Sequence, residues 1–138
     1  MNTRQEIRTA SAYLVIQGVG ALAWWVMLAV APSTRAWFHH PEWPPGTLMS
    51  LWLGDLVGFV GGSLVAAALL TRNLVYARAA VWFVVGVAWF ATAQCVVVTA
   101  WSGGGAWLAT GLMAPATAVT TWIGIRSMRW SETTPPGT

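Results

Sequence analysis

Charge is scarce in this chain: 8% of its 138 residues are charged, and lysine is absent. A soluble domain carries about a quarter. With 57% hydrophobic residues and a mean hydropathy of +0.60, a monomer could not hide its apolar surface from water. Absence of lysine excludes Schiff-base chemistry and phosphate loops that end in a lysine. The single cysteine, Cys95, excludes an internal disulfide and a dithiol redox pair. It lies in an apolar run and reads as a buried structural thiol. Acidic residues number only four, Glu6, Glu42, Asp55 and Glu132, and of these only Asp55 falls inside an apolar run.

What is abundant is long hydrophobic sequence. Four runs of about 20 residues predict an all-α integral membrane protein, an up-down bundle of four transmembrane helices. The spans are expected at about 12–31, 46–70, 79–100 and 106–125, within one domain over 1–130. The polar, proline-rich stretch 131–138 reads as a flexible tail. Pro32 closes the first run, because proline removes a donor and disfavours helix in the residue before it. Pro41, Pro44 and Pro45 mark the next connection as a loop, and the glycines from Gly103 to Gly105 mark a turn. Arg4 and Arg8 before the first run resemble the start of a secretory signal, but the apolar stretch is longer than a signal core, so no cleavage is expected.

The sequence pI near 10 could suggest nucleic acid. The arginines, however, stand in small groups beside the hydrophobic runs, which is the pattern of topology signals, and no nucleic-acid partner is expected. Arg4, Arg8, Arg72, Arg78, Arg126 and Arg129 fall on one side of the membrane and Arg35 on the other. Under the positive-inside rule both termini are cytoplasmic. The expected location is a bacterial plasma membrane, crossed several times. Tryptophan is asymmetric in the opposite sense, with Trp24, Trp25, Trp37, Trp43, Trp52, Trp101 and Trp107 in the outer half or its loops.

Asp55 is the most informative residue. Counted from Gly46 it lies about 13 Å below the outer face at 1.5 Å per residue, where a carboxyl is costly and serves function more often than packing. By the same count Gln94 and the Pro115 region of the fourth span reach similar depth. Pro115 leaves the carbonyl of Gly111 without its helical donor. Asp55, Gln94, Trp24, Trp25, Trp52 and Gly111 are therefore the expected ligand-binding residues, around an aromatic-walled pocket opening outward. Trp52, Asp55 and Phe59 share one helical face; Trp82, Gly86, Phe90 and Gln94 share another. Such stripes alone more often pack than bind.

Gly54, Gly58 and Gly62 repeat every four residues and predict a close helix contact, either internal or with a second copy or a larger membrane partner. Pro115 is grouped with them as a packing residue. Thr110, Thr117 and Thr121 form a weaker polar stripe, also read as packing. His39 and His40 are adjacent and would point apart, which is poor geometry for one metal, and no metal site is expected even with Glu42 nearby. No pattern names a cofactor.

Four short helices, one membrane carboxylate and many tryptophans resemble the small multidrug-resistance transporters in outline, where a carboxylate exchanges protons for aromatic cations. There the acid is a glutamate in the first helix; here it is Asp55 in the second. The stretch Pro41-Glu42-Trp43-Pro44-Pro45 resembles the proline and tryptophan loop of the translocator family, whose five helices and further motifs are missing here. Quinone-linked disulfide enzymes with four-helix bundles are excluded by the lone cysteine.

The leading expectation is a protein that binds, and transports or senses, a small apolar, aromatic or cationic molecule around Asp55. One alternative is a membrane enzyme acting on lipid or isoprenoid, with Asp55 as base and His39 or His40 assisting. Another is an accessory subunit docked through its glycine face.

Overall fold

The computed structural model describes residues 2–38, 43–44, 46–72, 74–103 and 106–130. His39, His40, Glu42 and the tail 131–138, for which the sequence raised expectations, lie outside the described residues. Among the described residues there is no strand, and four helices are long and apolar enough to cross a membrane. They are α1 (Thr3–Val30), α2 (Thr47–Arg72), α3 (Leu74–Trp101) and α4 (Trp107–Trp130).

Three of these helices run further than the apolar windows implied: α1 starts at Thr3 rather than near residue 12, α3 at Leu74 rather than 79, and α4 continues to Trp130 rather than 125. Arginine is a good helix former, so Arg4, Arg8, Arg78, Arg126 and Arg129 end the hydrocarbon without ending the helix. At 1.5 Å per residue, a helix of 28 residues reaches about 42 Å, the thickness of a bilayer with its headgroups. Asn2 caps α1, its side chain accepting from the Arg4 amide at 3.3 Å. Pro32 opens a short 3-10 helix, Pro32–Trp37, from which Arg35 Nε donates to the Leu28 carbonyl at 2.8 Å and satisfies an end of α1. Gly103 adopts φ 62°, the left-handed turn conformation expected after α3.

The second helix is not uniform. From Asp55 to Gly61 it winds as a π-helix, with α-helix resuming at Gly62. A π segment inside an α-helix is uncommon and recurs at functional sites. Gly61 suits this winding, since a Cβ there would meet the Leu56 carbonyl oxygen at 3.3 Å.

Two apolar clusters hold the bundle. One gathers Ala10 and Leu14 of α1, Ala66, Ala67 and Leu70 of α2, Ala77, Val81 and Val84 of α3, and Ile123 and Trp130 of α4. The other joins Trp25, Leu28, Phe38, Leu48 and Ala109, with Cys95 against it. Glycines set the closest approaches. Gly58 faces Val87 at 3.4 Å and Gly62 faces Phe83 and Val84 at 3.2 Å, measured from a Cβ built at each. These two glycines make an internal contact between α2 and α3. Gly54 has open space where a Cβ would be, so the third member of the repeat does not pack. Gly18 against Leu64, and Gly124 against Val85, are contacts that no sequence repeat marks.

Hydrogen bonds fasten three of the seams, α1–α2 among them through Ser11 to the Ala67 carbonyl at 2.9 Å. Between α3 and α4, Thr92 and Thr117 hydroxyls lie 2.6 Å apart, Thr99 and Thr110 2.7 Å apart, and Trp89 Nε1 donates to Thr121 at 3.1 Å. All three threonines of the α4 stripe thus bond to α3. Between α1 and α4, Glu6 pairs with Arg126 at 2.9 Å and accepts from Trp130 Nε1 at 3.1 Å. Tyr13 donates to the Ala116 carbonyl at 3.1 Å, and Gln17 accepts from Thr120 at 2.7 Å while donating to Ser63 of α2 at 3.1 Å.

Gly62→Val should lower stability by about 1–3 kcal/mol, because the added methyls enter occupied space against Phe83 and Val84. Gly54→Ala should leave stability equal or raise it by up to about 1 kcal/mol, since it removes glycine's entropy without a clash. Reversible unfolding in mixed detergent micelles reads both, and equal effects at the two sites would contradict this packing.

Candidate functional site

A cavity of about 860 Å³ lies among the four helices. Its walls are predominantly apolar: α1 gives Gly20, Trp24 and Trp25, α2 gives Leu51, Asp55 and Phe59, α3 gives Phe90 and Gln94, and α4 gives Leu112 and Met113. Known small-molecule pockets occupy about 300–1,000 Å³ and combine apolar walls with a few placed polar groups. Here the polar groups near the second apolar cluster are Asp55, Gln94 and the indole nitrogens of Trp24 and Trp25.

Each is placed by its helix. Asp55 opens the π-helical turn, whose wider winding keeps Phe59 on the cavity side together with Leu51 and Asp55. Trp24 and Trp25 stand edge to face at 4.7 Å between ring centroids, and Trp24 meets Phe38 of the connection edge-on at 5.3 Å. Trp25 is only 7% exposed. Its indole N–H stands next to the Asp55 carboxyl, a contact at the margin of a hydrogen bond. Nε1 of Trp24 and Nε1 of Trp25 are both buried without a partner. The Gln94 amide lines the same wall one turn below Val98, with Cys95 beside it.

Of the residues expected at a site, Asp55, Gln94, Trp24 and Trp25 thus share one cavity. Trp52 and Gly111 are not on it. Trp52 is 47% exposed, because at 100° per residue it sits about 60° away from Asp55 on the side opposite Leu51. The cavity face of α4 runs through Ala109, Leu112, Met113 and Ala116, which leaves Gly111 on the exposed side. Pro115, grouped with the packing residues, is exposed as well, and α4 continues through it. Phe38, Trp43 and Tyr13 join the lining without a sequence signal at helical spacing, since the first two lie in the connection after α1. Gln17 was visible only as a polar residue in an apolar run; its role as a bridge among α1, α2 and α4 depends on contacts distant in sequence.

Chemically, the cavity offers an acid, an amide and two N–H donors inside aromatic walls. It lacks the parts of a metal centre: among the described residues no three His, Cys, Asp or Glu side chains come together. Comparison with known protein families, with curated proteins and with solved structures finds no match. The geometry of the cavity therefore carries the functional reading alone.

Two polar residues of the cavity lining should respond oppositely to removal. Gln17→Leu should cost about 0.6–2 kcal/mol, the range of interhelical hydrogen bonds in membranes, because Ser63 and Thr120 lose a shared partner. Asp55→Asn should raise the thermal stability of the ligand-free protein, on the order of 1 kcal/mol, by removing a carboxyl with at most one marginal hydrogen bond from an apolar wall. A loss at Asp55 as large as that at Gln17 would make Asp55 a packing residue.

Proposed function

We propose that this protein binds a small aromatic, apolar or cationic molecule in the cavity around Asp55, as the binding step of transport or sensing. The observation that carries the reading is that the buried indole N–H groups of Trp24, without a partner, and of Trp25, at most marginally bonded to Asp55, share with that carboxyl a cavity large enough for a ligand. In an apolar medium an unmet donor costs about 1–3 kcal/mol. Donors so poorly met beside a membrane carboxyl are costly for a merely structural wall, and a ligand with complementary groups offsets the cost.

A cation suits the site twice over. The carboxyl supplies its counter-charge, and the rings of Trp24, Trp25, Phe59 and Phe90 supply cation–π attraction. Gln94 is assigned hydrogen bonding to the ligand. The reading includes an up-down bundle in a bacterial plasma membrane with both termini in the cytoplasm, supported by the arginine distribution. With that orientation the site lies in the outer half of the bundle, near Phe38 and Trp43.

The test is tryptophan fluorescence of the purified protein titrated with tetraphenylphosphonium, and with its neutral analogue tetraphenylmethane as a control. Saturable quenching by the cation should weaken at least about tenfold in Asp55→Asn, equivalent to about 1.4 kcal/mol. Quenching that is non-saturable, or that survives Asp55→Asn unchanged, counts against this site.

A further inference from the structure

We infer that the cavity is loaded sideways from the bilayer, through the seam between α1 and α4, by an amphiphile dissolved in the membrane. The inference rests on the binding reading above and deepens it by naming the route and hence the ligand class.

Both ends of the cavity are stopped. At one, Leu14, Ala66, Val81, Val84 and Ile123 pack as a continuous apolar cluster, each at most 1% exposed. At the other, Trp25, Leu28, Phe38, Leu48 and Ala109 close together. A water-soluble molecule entering along the bundle axis would have to push through one of these clusters. The cavity is nonetheless not enclosed, and we place its opening at the side where the helix seam is most loosely packed.

The α1–α4 seam is the least closely packed of the seams between neighbouring helices. Its fastenings are uneven. Glu6 with Arg126 and Trp130, Tyr13 with Ala116, and Gln17 with Thr120 all fall in the N-terminal half of α1 or just beyond it. Beyond Gln17 no side-chain hydrogen bond joins α1 to α4 among the described residues. There the cavity wall is Gly20, Ala21 and Trp24 on one helix and Ala109, Leu112 and Met113 on the other. Gly20 is exposed, and a Cβ built on it meets nothing within 4 Å. Leu112 is 56% exposed. The result is a gap bordered by small or apolar side chains above a hydrogen-bonded hinge, opening at membrane depth.

A gap of this kind passes a molecule whose body is apolar. Beyond it, the poorly met Trp25 N–H and the Asp55 carboxyl require a polar group that both accepts and donates, or accepts and carries positive charge. Together these features describe a membrane-soluble amphiphile with a compact polar or cationic end, rather than a hydrated ion.

Photolabelling in proteoliposomes tests the route without any ligand. An aryl trifluoromethyl diazirine partitions into the bilayer, and its sulfonated counterpart stays in water; peptide mass spectrometry locates both. The bilayer reagent should label the cavity residues Trp25, Asp55 and Met113, and the sulfonated reagent should not. Filling the seam with Gly20→Phe, or with the smaller Gly20→Leu, should reduce that labelling severalfold. Labelling at the exposed Val26, Trp89 and Val97 should stay constant, showing that the variants are folded. Gly86→Phe, on the other side of the cavity, should have no such effect. The route is overturned if the sulfonated reagent labels the cavity residues as well, if both Gly20 variants label as the wild type does, or if Gly86→Phe removes the labelling. Because labelling reports access alone, a failed phosphonium titration with an intact labelling pattern would overturn the ligand reading and leave the route standing.

Discussion

In hydrocarbon a polar group has no water to fall back on, so each one must find its partner inside the protein or add an uncompensated cost. Most of this bundle is arranged by that constraint. The hydroxyls of Ser11, Thr92, Thr99, Thr117 and Thr120 each bond to a backbone carbonyl or a side chain on their own or a neighbouring helix. Glu6, the acid nearest the start of α1, is met by both Arg126 and Trp130. Against so complete a pattern, the exceptions are informative. Among the described residues they are Nε of Arg126, beside its ion pair with Glu6, and the indole N–H groups of Trp24 and Trp25, which share one cavity with the Asp55 carboxyl.

The same constraint explains the unusual winding of α2. A cavity beside a helix withdraws packing from that helix, and glycine-rich sequence withdraws more. Between Gly54 and Gly62 the chain has four glycines, Gly54, Gly58, Gly61 and Gly62. The backbone there has little side-chain bulk to hold an α geometry, while the hydrocarbon still demands that its N–H and C=O groups bond within the helix. A π turn meets that demand with a wider ring. Its consequence is positional: Asp55 and Phe59 face the cavity together, and Gly58 and Gly62 remain free to press against Val87, Phe83 and Val84. Close packing on one face of α2 and an open wall on the next therefore come from the same run of glycine.

How much of this was legible in the sequence follows the range of each interaction. Four spans could be read from hydropathy, because bilayer thickness imposes a length that composition alone reveals. Their ends could not, since an arginine stops the apolar run without stopping the helix. Depth along the helix axis follows from a rise per residue, and it grouped Asp55, Gln94, Trp24 and Trp25 at one level. Facing direction was less legible. Trp52 and Gly111 have suitable depth but point outward, because rotation about each helix axis is decided by tertiary neighbours, and in α2 also by the π turn that shifts the register. Phe38 and Trp43 were hidden for a different reason: their positions depend on how a proline-bounded connection folds back, which no periodicity encodes.

These considerations also bear on why a carboxyl should sit where it does. Asp55 could have been stabilised cheaply, since Gln17, Ser63 and Thr120 show that this bundle forms a three-helix hydrogen-bond junction when one is needed. Instead the acid stands at the start of a weakened helical turn, beside a tryptophan that bonds to it at most marginally. In the binding reading proposed above, a ligand that satisfies both groups gains the benefit of their pairing. The polar junction around Gln17, at the same cavity as Asp55, has its groups paired to α2 and α4 and holds three helices together.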